Sequence, residues 1–158
     1  MPKRSAGILL YRHSPGGLEL LLVHPGGPFW AKKDLGAWSI PKGEYVAGED
    51  PLDVARRELE EETGLRVEAD VLPLGELTQR GGKTVTAFAF EGDLDPATLR
   101  SNLFELEWPP RSGRKKSFPE VDRAQWFPAA EAGEKILTGQ RGFIERLLFA
   151  LRTRRRGA

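Results

Sequence analysis

The sequence predicts an α/β domain, on three observations. Two β-rich apolar runs, 5–12 and 18–23, flank Pro15-Gly16-Gly17 and read as a hairpin. Residues 83–91 alternate Val85, Ala87 and Ala89 against Thr84, Thr86, Phe88 and Phe90, which suits a strand buried on both faces. Between Asp50 and Gly64 the chain carries helix punctuation at both ends, with Asp50 as N-cap, Pro51 at the first helical position and Gly64 just past the last. A length of 158 residues suits one domain over 1–158.

The other elements follow in order. The Pro25-Gly26-Gly27-Pro28 stretch reads as loop, and 38–40, bounded by Gly36 and Pro41, as a brief strand. Residues 67–77 predict a strand that precedes 83–91 across Gln79-Arg80-Gly81-Gly82. Residues 92–119, rich in proline and carrying Arg111, Arg114, Lys115 and Lys116, read as irregular. A last strand is expected over 121–127 and a last helix over 139–152, with Phe143, Leu147, Leu148 and Leu151 on one face. The basic tail 152–158 is expected to be frayed and solvated.

Composition narrows the chemistry. Hydrophobic residues make up 39% and charged residues 30%, with 24 Lys plus Arg against 23 Asp plus Glu, a formal net charge of +1. That balance suits a soluble globule and points to no specific nucleic-acid partner. With no cysteine, disulfide scaffolds, thiolate zinc sites and cysteine nucleophiles are excluded. His13 and His24 are the only histidines, too few for a histidine zinc site. No apolar run approaches the roughly 20 residues of a membrane span, and the start Met1-Pro2-Lys3-Arg4 leads into no signal-peptide core. A cytoplasmic protein without a membrane partner is expected. Its chemistry must come from carboxylates, amines, hydroxyls and hard cations.

Carboxylates crowd the 51–63 helix. At about 100° per residue, Leu52, Ala55 and Leu59 share the face expected to pack on the sheet. Glu58, Glu61 and Glu62 fall on a neighbouring arc, two of them near the helix C-terminus, where the macrodipole disfavours negative charge. A divalent cation resolves that conflict, because Mg²⁺ and Mn²⁺ take oxygen ligands and leave room for water and substrate phosphates.

The spacing around this helix carries a resemblance. Gly43, five residues, Glu49, seven residues, then Arg57-Glu58-Leu59-Glu60-Glu61-Glu62-Thr63-Gly64-Leu65 is similar to the complete Nudix box, without one departure. The resemblance implies an α/β/α sandwich with a mixed sheet, in which the box forms a loop-helix-loop. It also implies hydrolysis of a diphosphate linked to another group, usually in a nucleoside diphosphate derivative, with Mg²⁺ or Mn²⁺ as cofactor. Carried onto this chain, Glu58 and Glu62 become metal ligands, and Glu61 a further ligand or the base that activates water. Gly43 lets the backbone approach the metal, with a carbonyl at Lys42 or Gly43 completing the coordination. Glu49 and Arg57 are expected to pair as scaffold, and Glu120, before the last strand, is a further catalytic candidate.

Trp38-Ser39-Ile40-Pro41-Lys42-Gly43 resembles the run that leads into the box among diadenosine polyphosphate and diphosphoinositol hydrolases. This implies a nucleotide or polyphosphate substrate met by Trp38, Lys42, Lys33 and Lys83, with Lys32, Arg114 and Lys115 as further phosphate contacts and Trp30 or Phe118 stacking on a base. ADP-ribose, nucleotide sugars and oxidised nucleotides are alternative substrates, and a non-catalytic nucleotide or RNA sensor is a different reading. The isomerase branch of the same fold relies on a cysteine that this chain lacks. The family also admits a homodimer.

Overall fold

The computed structural model describes residues 3–68 and 70–156, the last two without their side chains. Residues 1, 2, 157 and 158, and residue 69 inside the expected strand 67–77, lie outside the described residues.

Strand β1 (Arg4–Ser14) turns back into β2 (Gly17–Pro25), with Tyr11 opposite Leu20, as the two apolar runs predict. Strand β5 (Thr84–Glu91) runs parallel to β1, and β4 (Leu72–Thr78) pairs antiparallel with β5. Strand β8 (Val121–Pro128) closes the other edge on β2, giving the order β4-β5-β1-β2-β8. A short β3 (Lys42–Tyr45) pairs with β1, Ala6 opposite Gly43. The mixed sheet has six strands.

Both faces of the sheet are covered, for the reason visible in the β1 alternation. Leu9 and Tyr11 belong to one buried cluster and Ala6 and Ile8 to another. Against the first pack helix α2 (Ala129–Lys135) through Ala132 and helix α3 (Arg141–Arg156) through Phe143, Ile144 and Leu147. Against the second packs helix α1 (Pro51–Thr63) through Val54, Ala55 and Leu59. Burial of such side chains stabilises the fold by about 1.5–3 kcal/mol each.

Several expectations are corrected. The α1 face buries Val54 where Leu52 was expected, and Leu52 stays half-buried. Residues 92–119 contain a second, two-stranded sheet, β6 (Leu103–Glu107) with β7 (Lys115–Pro119), in place of an irregular segment. Residues 38 and 39 make only isolated bridges, to Ile136 and Val23, while the strand itself begins at Lys42. The expected strand 67–77 starts only at Leu72. The last helix, expected to end at 152, continues through Arg156, with the Thr153 hydroxyl donating to the Phe149 carbonyl at 2.9 Å, and residues 152–154 are exposed, as a solvated tail requires. Among the described residues no helix is long and apolar enough to cross a membrane.

Candidate active site

The punctuation read from the sequence builds α1. The Asp50 side chain accepts from the Asp53 N–H, Pro51 begins the helix, and Gly64 ends it at φ +80° with its N–H on the Glu60 carbonyl. Glu49 meets Arg57 at 3.5 Å across the loop and helix, and its carboxylate also accepts from the Val46 N–H at 3.0 Å. That pair ties the loop 46–50 to the helix. No basic residue stands in the last turn of α1, but Arg66 reaches back to Glu60 at 3.1 Å.

The acids on the other flank of α1 have no such partner among the described residues. Glu62 is only 8% exposed, and its Oε2 has no hydrogen-bond partner among the described residues. Burial, then the charges of Glu58, Glu120 and Glu61, push its carboxyl up to about 8. Glu58 is also raised, first by burial and then by Glu61. It lies against Gly43 so closely that a Cβ at that position would overlap the Glu58 carboxyl group, so the backbone of β3 and the Glu58 side chain share a space that only glycine leaves open. Glu61 is exposed beside them.

A cavity of about 450 Å³ opens next to this group. Glu62 and Glu120 line it on the acidic side, and Lys42, Lys83 and Arg80 bring positive charge to the same space. Burial and then Lys83 lower the Lys42 ammonium below the ordinary lysine range, against the pull of Glu44, Glu62 and Glu120. Glu120 is held between β7 and β8: its N–H donates to the Asn102 carbonyl at 2.8 Å, and its carbonyl accepts from the Gly26 N–H at 2.9 Å. Trp30 supplies an aromatic wall. Its loop is pinned by His24 against the Lys33 carbonyl at 2.6 Å and by the Trp38 indole donating to Asp34 at 2.8 Å.

The structure thus brings together Lys42, Glu62, Lys83 and Glu120, with Gly43, Glu58 and Glu61 adjoining. Trp38 and Lys33 are placed otherwise. Trp38 is 1% exposed, edge-on to His24 and Phe127 in the core, because its neighbour Ser39 bridges to β2 and turns the indole inward. Lys33 lies over the Trp30 ring at 5.2 Å and does not line the cavity, and Phe118 packs on Phe104. Sequence reasoning passed over Gln79 and Arg80, which line the cavity from the β4–β5 turn, and Ser39. The only sequence signal for Gln79 and Arg80 was the turn itself, since side-chain direction at a turn depends on what it meets, and that for Ser39 was its place in the 38–43 run.

The donor set suits a hard divalent cation: carboxylates, one with an orphaned buried oxygen, beside a backbone with no side chain in the way. Among the described residues no three acidic or histidine side chains form a ready-made cage. Mg²⁺ sites commonly take one or two carboxylates and fill the remaining positions with water and substrate phosphate.

Comparison with known proteins places this geometry. An RNA pyrophosphohydrolase from Brucella anthropi is 28% identical over 159 residues, covering 84% of this chain and 86% of that protein. An octanoyltransferase from Myxococcus xanthus is 37% identical over 101 residues, 64% of this chain but only 25% of that protein. A Bartonella henselae RNA pyrophosphohydrolase is likewise matched over 36% of its length, so the chain spans between a quarter and most of these curated relatives. In fold, the chain is similar to a mutT/nudix family protein from Listeria innocua, with TM-score 0.67, 19% identity and coverage of 100% and 99% of the two chains. A Caenorhabditis elegans Ap4A hydrolase binary complex gives TM-score 0.63, 21% identity and coverage of 94% and 98%. The NUDIX domain profile matches residues 1–147, nearly the whole length over which strands, box helix and cavity have been described, and the chain belongs to that family.

Proposed function

We propose that this chain hydrolyses a diphosphate bond in a nucleoside polyphosphate, with dinucleoside polyphosphates and nucleoside triphosphate-type polyphosphates as the preferred class. The observation that carries the reading is the cavity, which sets the carboxylates of Glu62 and Glu120 against the cations of Lys42, Lys83 and Arg80 beside the Trp30 ring. A long polyphosphate needs cations along its length, and a nucleoside needs an apolar wall.

Glu58 and Glu62, with Glu61 and a carbonyl at Lys42 or Gly43, would hold Mg²⁺ or Mn²⁺. When bound, the cation supplies charge neutralisation at the diphosphate oxygens and a lowered pKa for the attacking water. Lys42 and Lys83 orient the phosphate chain. Glu61 or Glu120 takes the water proton, a role open to a carboxylate within hydrogen-bond reach of that water. Burial of Glu62 excludes water from one side of the site and keeps the electrostatic contacts strong.

Triphosphorylated RNA ends are the second reading, supported by the relatives named RNA pyrophosphohydrolase and by the exposed Arg111, Arg114 and Lys115 that follow β6. The test is turnover by purified protein with Mg²⁺ or Mn²⁺ on dinucleoside polyphosphates, nucleoside triphosphates, oxidised nucleotides, ADP-ribose, nucleotide sugars and 5′-triphosphorylated RNA, with products resolved by chromatography. Cleavage of the nucleoside polyphosphates above the others is expected. Preference for the RNA would transfer the assignment to RNA ends, and binding without any cleavage would make the chain a nucleotide sensor.

A further inference from the structure

Gln79 lines the cavity, and Gln140 stands behind it; the amide directions of both are forced. Gln140 is fully buried, in the 3-10 turn Thr138–Gln140 that precedes α3. Its side chain accepts from the Ile40 backbone N–H at 3.1 Å. A backbone amide can only donate, so the Gln140 atom that meets it must be Oε1 and the NH₂ must lie on the other side. That NH₂ donates to Ser39 Oγ at 3.0 Å and to Gln79 at 3.1 Å. An N–H in turn demands an acceptor, so Gln79 presents its Oε1 to Gln140 and carries its own NH₂ on the opposite side.

Gln79 is held in this place from two further directions. A Cβ on Gly139 would stand 3.1 Å from Gln79 Cγ and 3.2 Å from its Cα, so Gly139 allows the close approach. The Gln79 backbone N–H donates to the Lys83 carbonyl at 2.6 Å, closing the β4–β5 turn. Gln79 lines the cavity that Trp30 also lines, and its NH₂ has no acceptor among the described residues. A free glutamine offers donor or acceptor by rotating its amide. This one is kept in a single sense by a backbone N–H two links away.

We propose that Gln79 selects the nucleobase and that Gln140 is its positioning residue, fixing the Gln79 NH₂ as the amide end that the described residues leave unpaired. The bases favoured are those with acceptors along the exposed edge, as guanine has at O6 and N7. Adenine is disfavoured, because its exocyclic amino group would set donor against donor. The inference rests on the reading of the cavity as a nucleotide site and adds the base to it.

The test uses the full chain and two readouts: calorimetric Kd for GMP and AMP, and kcat/KM for matched guanosine and adenosine polyphosphates with a divalent cation. Wild type is expected to favour guanine by roughly tenfold in both. Gln79→Ala should bring the ratio close to one, the loss falling on KM for guanosine substrates more than on kcat. Gln79→Glu, which replaces donors by acceptors, should tilt it toward adenine. Gln140→Met frees the Gln79 amide and should shrink the ratio although Gln79 is intact, whereas a purely structural Gln140 would lower Tm and leave the ratio alone. If that variant fails to fold, the Gln79 variants decide. Equal affinity for GMP and AMP in wild type, no binding of either, or an unchanged ratio in Gln79→Ala overturns the proposal. A guanine preference in binding with no turnover would refute the hydrolase reading and sustain this one, and turnover without base preference would do the reverse.

Discussion

The helices on the two faces of the sheet end their buried stripes differently. On α3 the stripe of Phe143, Ile144 and Leu147 is apolar throughout and packs into a cluster with Trp38, Phe127 and Ile136. On α1 the stripe of Val54, Ala55 and Leu59 ends in Glu62, also buried and with an oxygen that has no hydrogen-bond partner among the described residues. Folding alone completes the α3 face. The α1 face keeps a polar group whose desolvation is costly while it lacks a partner, and this difference supports the proposed placing of the site on α1 and not on α3.

Substitutions should separate these roles. Glu62→Gln should lower turnover by orders of magnitude, because it removes a carboxylate that holds the cation, while circular dichroism and Tm of the metal-free protein stay level near neutral pH, where the raised carboxyl is mostly protonated, and improve above about pH 8, where a repelling charge leaves the interior. A large fall in Tm would show that Glu62 belongs to the core and not to the site. On the opposite face, Phe143→Ala should cost about 3–5 kcal/mol by denaturant titration, and the fraction that remains folded should keep its kcat. Loss of kcat at full folding would tie the α3 face to the reaction.

The pH dependence of metal binding compares the faces without mutation. The Glu62 carboxyl is raised from 4.5 to about 8, so the folded protein holds this proton more tightly than the unfolded chain does. Its favourable contribution is complete below the unfolded value and is lost as pH rises through the folded one, between 4.5 and about 8. A cation that replaces the proton should restore stability where the proton has left. Added Mg²⁺ or Mn²⁺ is therefore expected to raise Tm more at about pH 9 than at about pH 5, and a shift independent of pH would mean the cation binds elsewhere. The smallest effect belongs to the loop tether: Arg57→Gln breaks a partly exposed pair with Glu49 at 3.5 Å and should cost under about 1 kcal/mol. A larger loss in thermal melts would make that pair part of the folding core.

Legibility in the sequence follows the range of the interactions. The bounds of α1 were readable because Asp50, Pro51 and Gly64 act on backbone groups within a turn of themselves. Strands β1, β2, β5 and β8 were readable from apolar runs and alternation. The β6–β7 hairpin was not, since Glu105 and Glu107 face Ser117 and Lys115 along a small sheet with little apolar contrast. Nor was α2, seven residues with Gly133 inside, whose helix is held through buried Ala132. At the site, the box spacing singled out Glu58, Glu61, Glu62 and Gly43, but the same reasoning placed Trp38 at the substrate when the fold turns it into the core.

By itself the sequence determined the residue types: the box and its acids, the helix ends and the absence of cysteine, all of which are stated by local order along the chain. Tertiary structure alone decided which of those acids is buried without a partner and which lysines share its cavity. It also decided the amide direction of Gln79, through a bond to a residue 61 positions away that is itself oriented by one 100 positions away. Burial and hydrogen-bond polarity are properties of what surrounds a group, and here those surroundings come from strands and turns far apart in the chain.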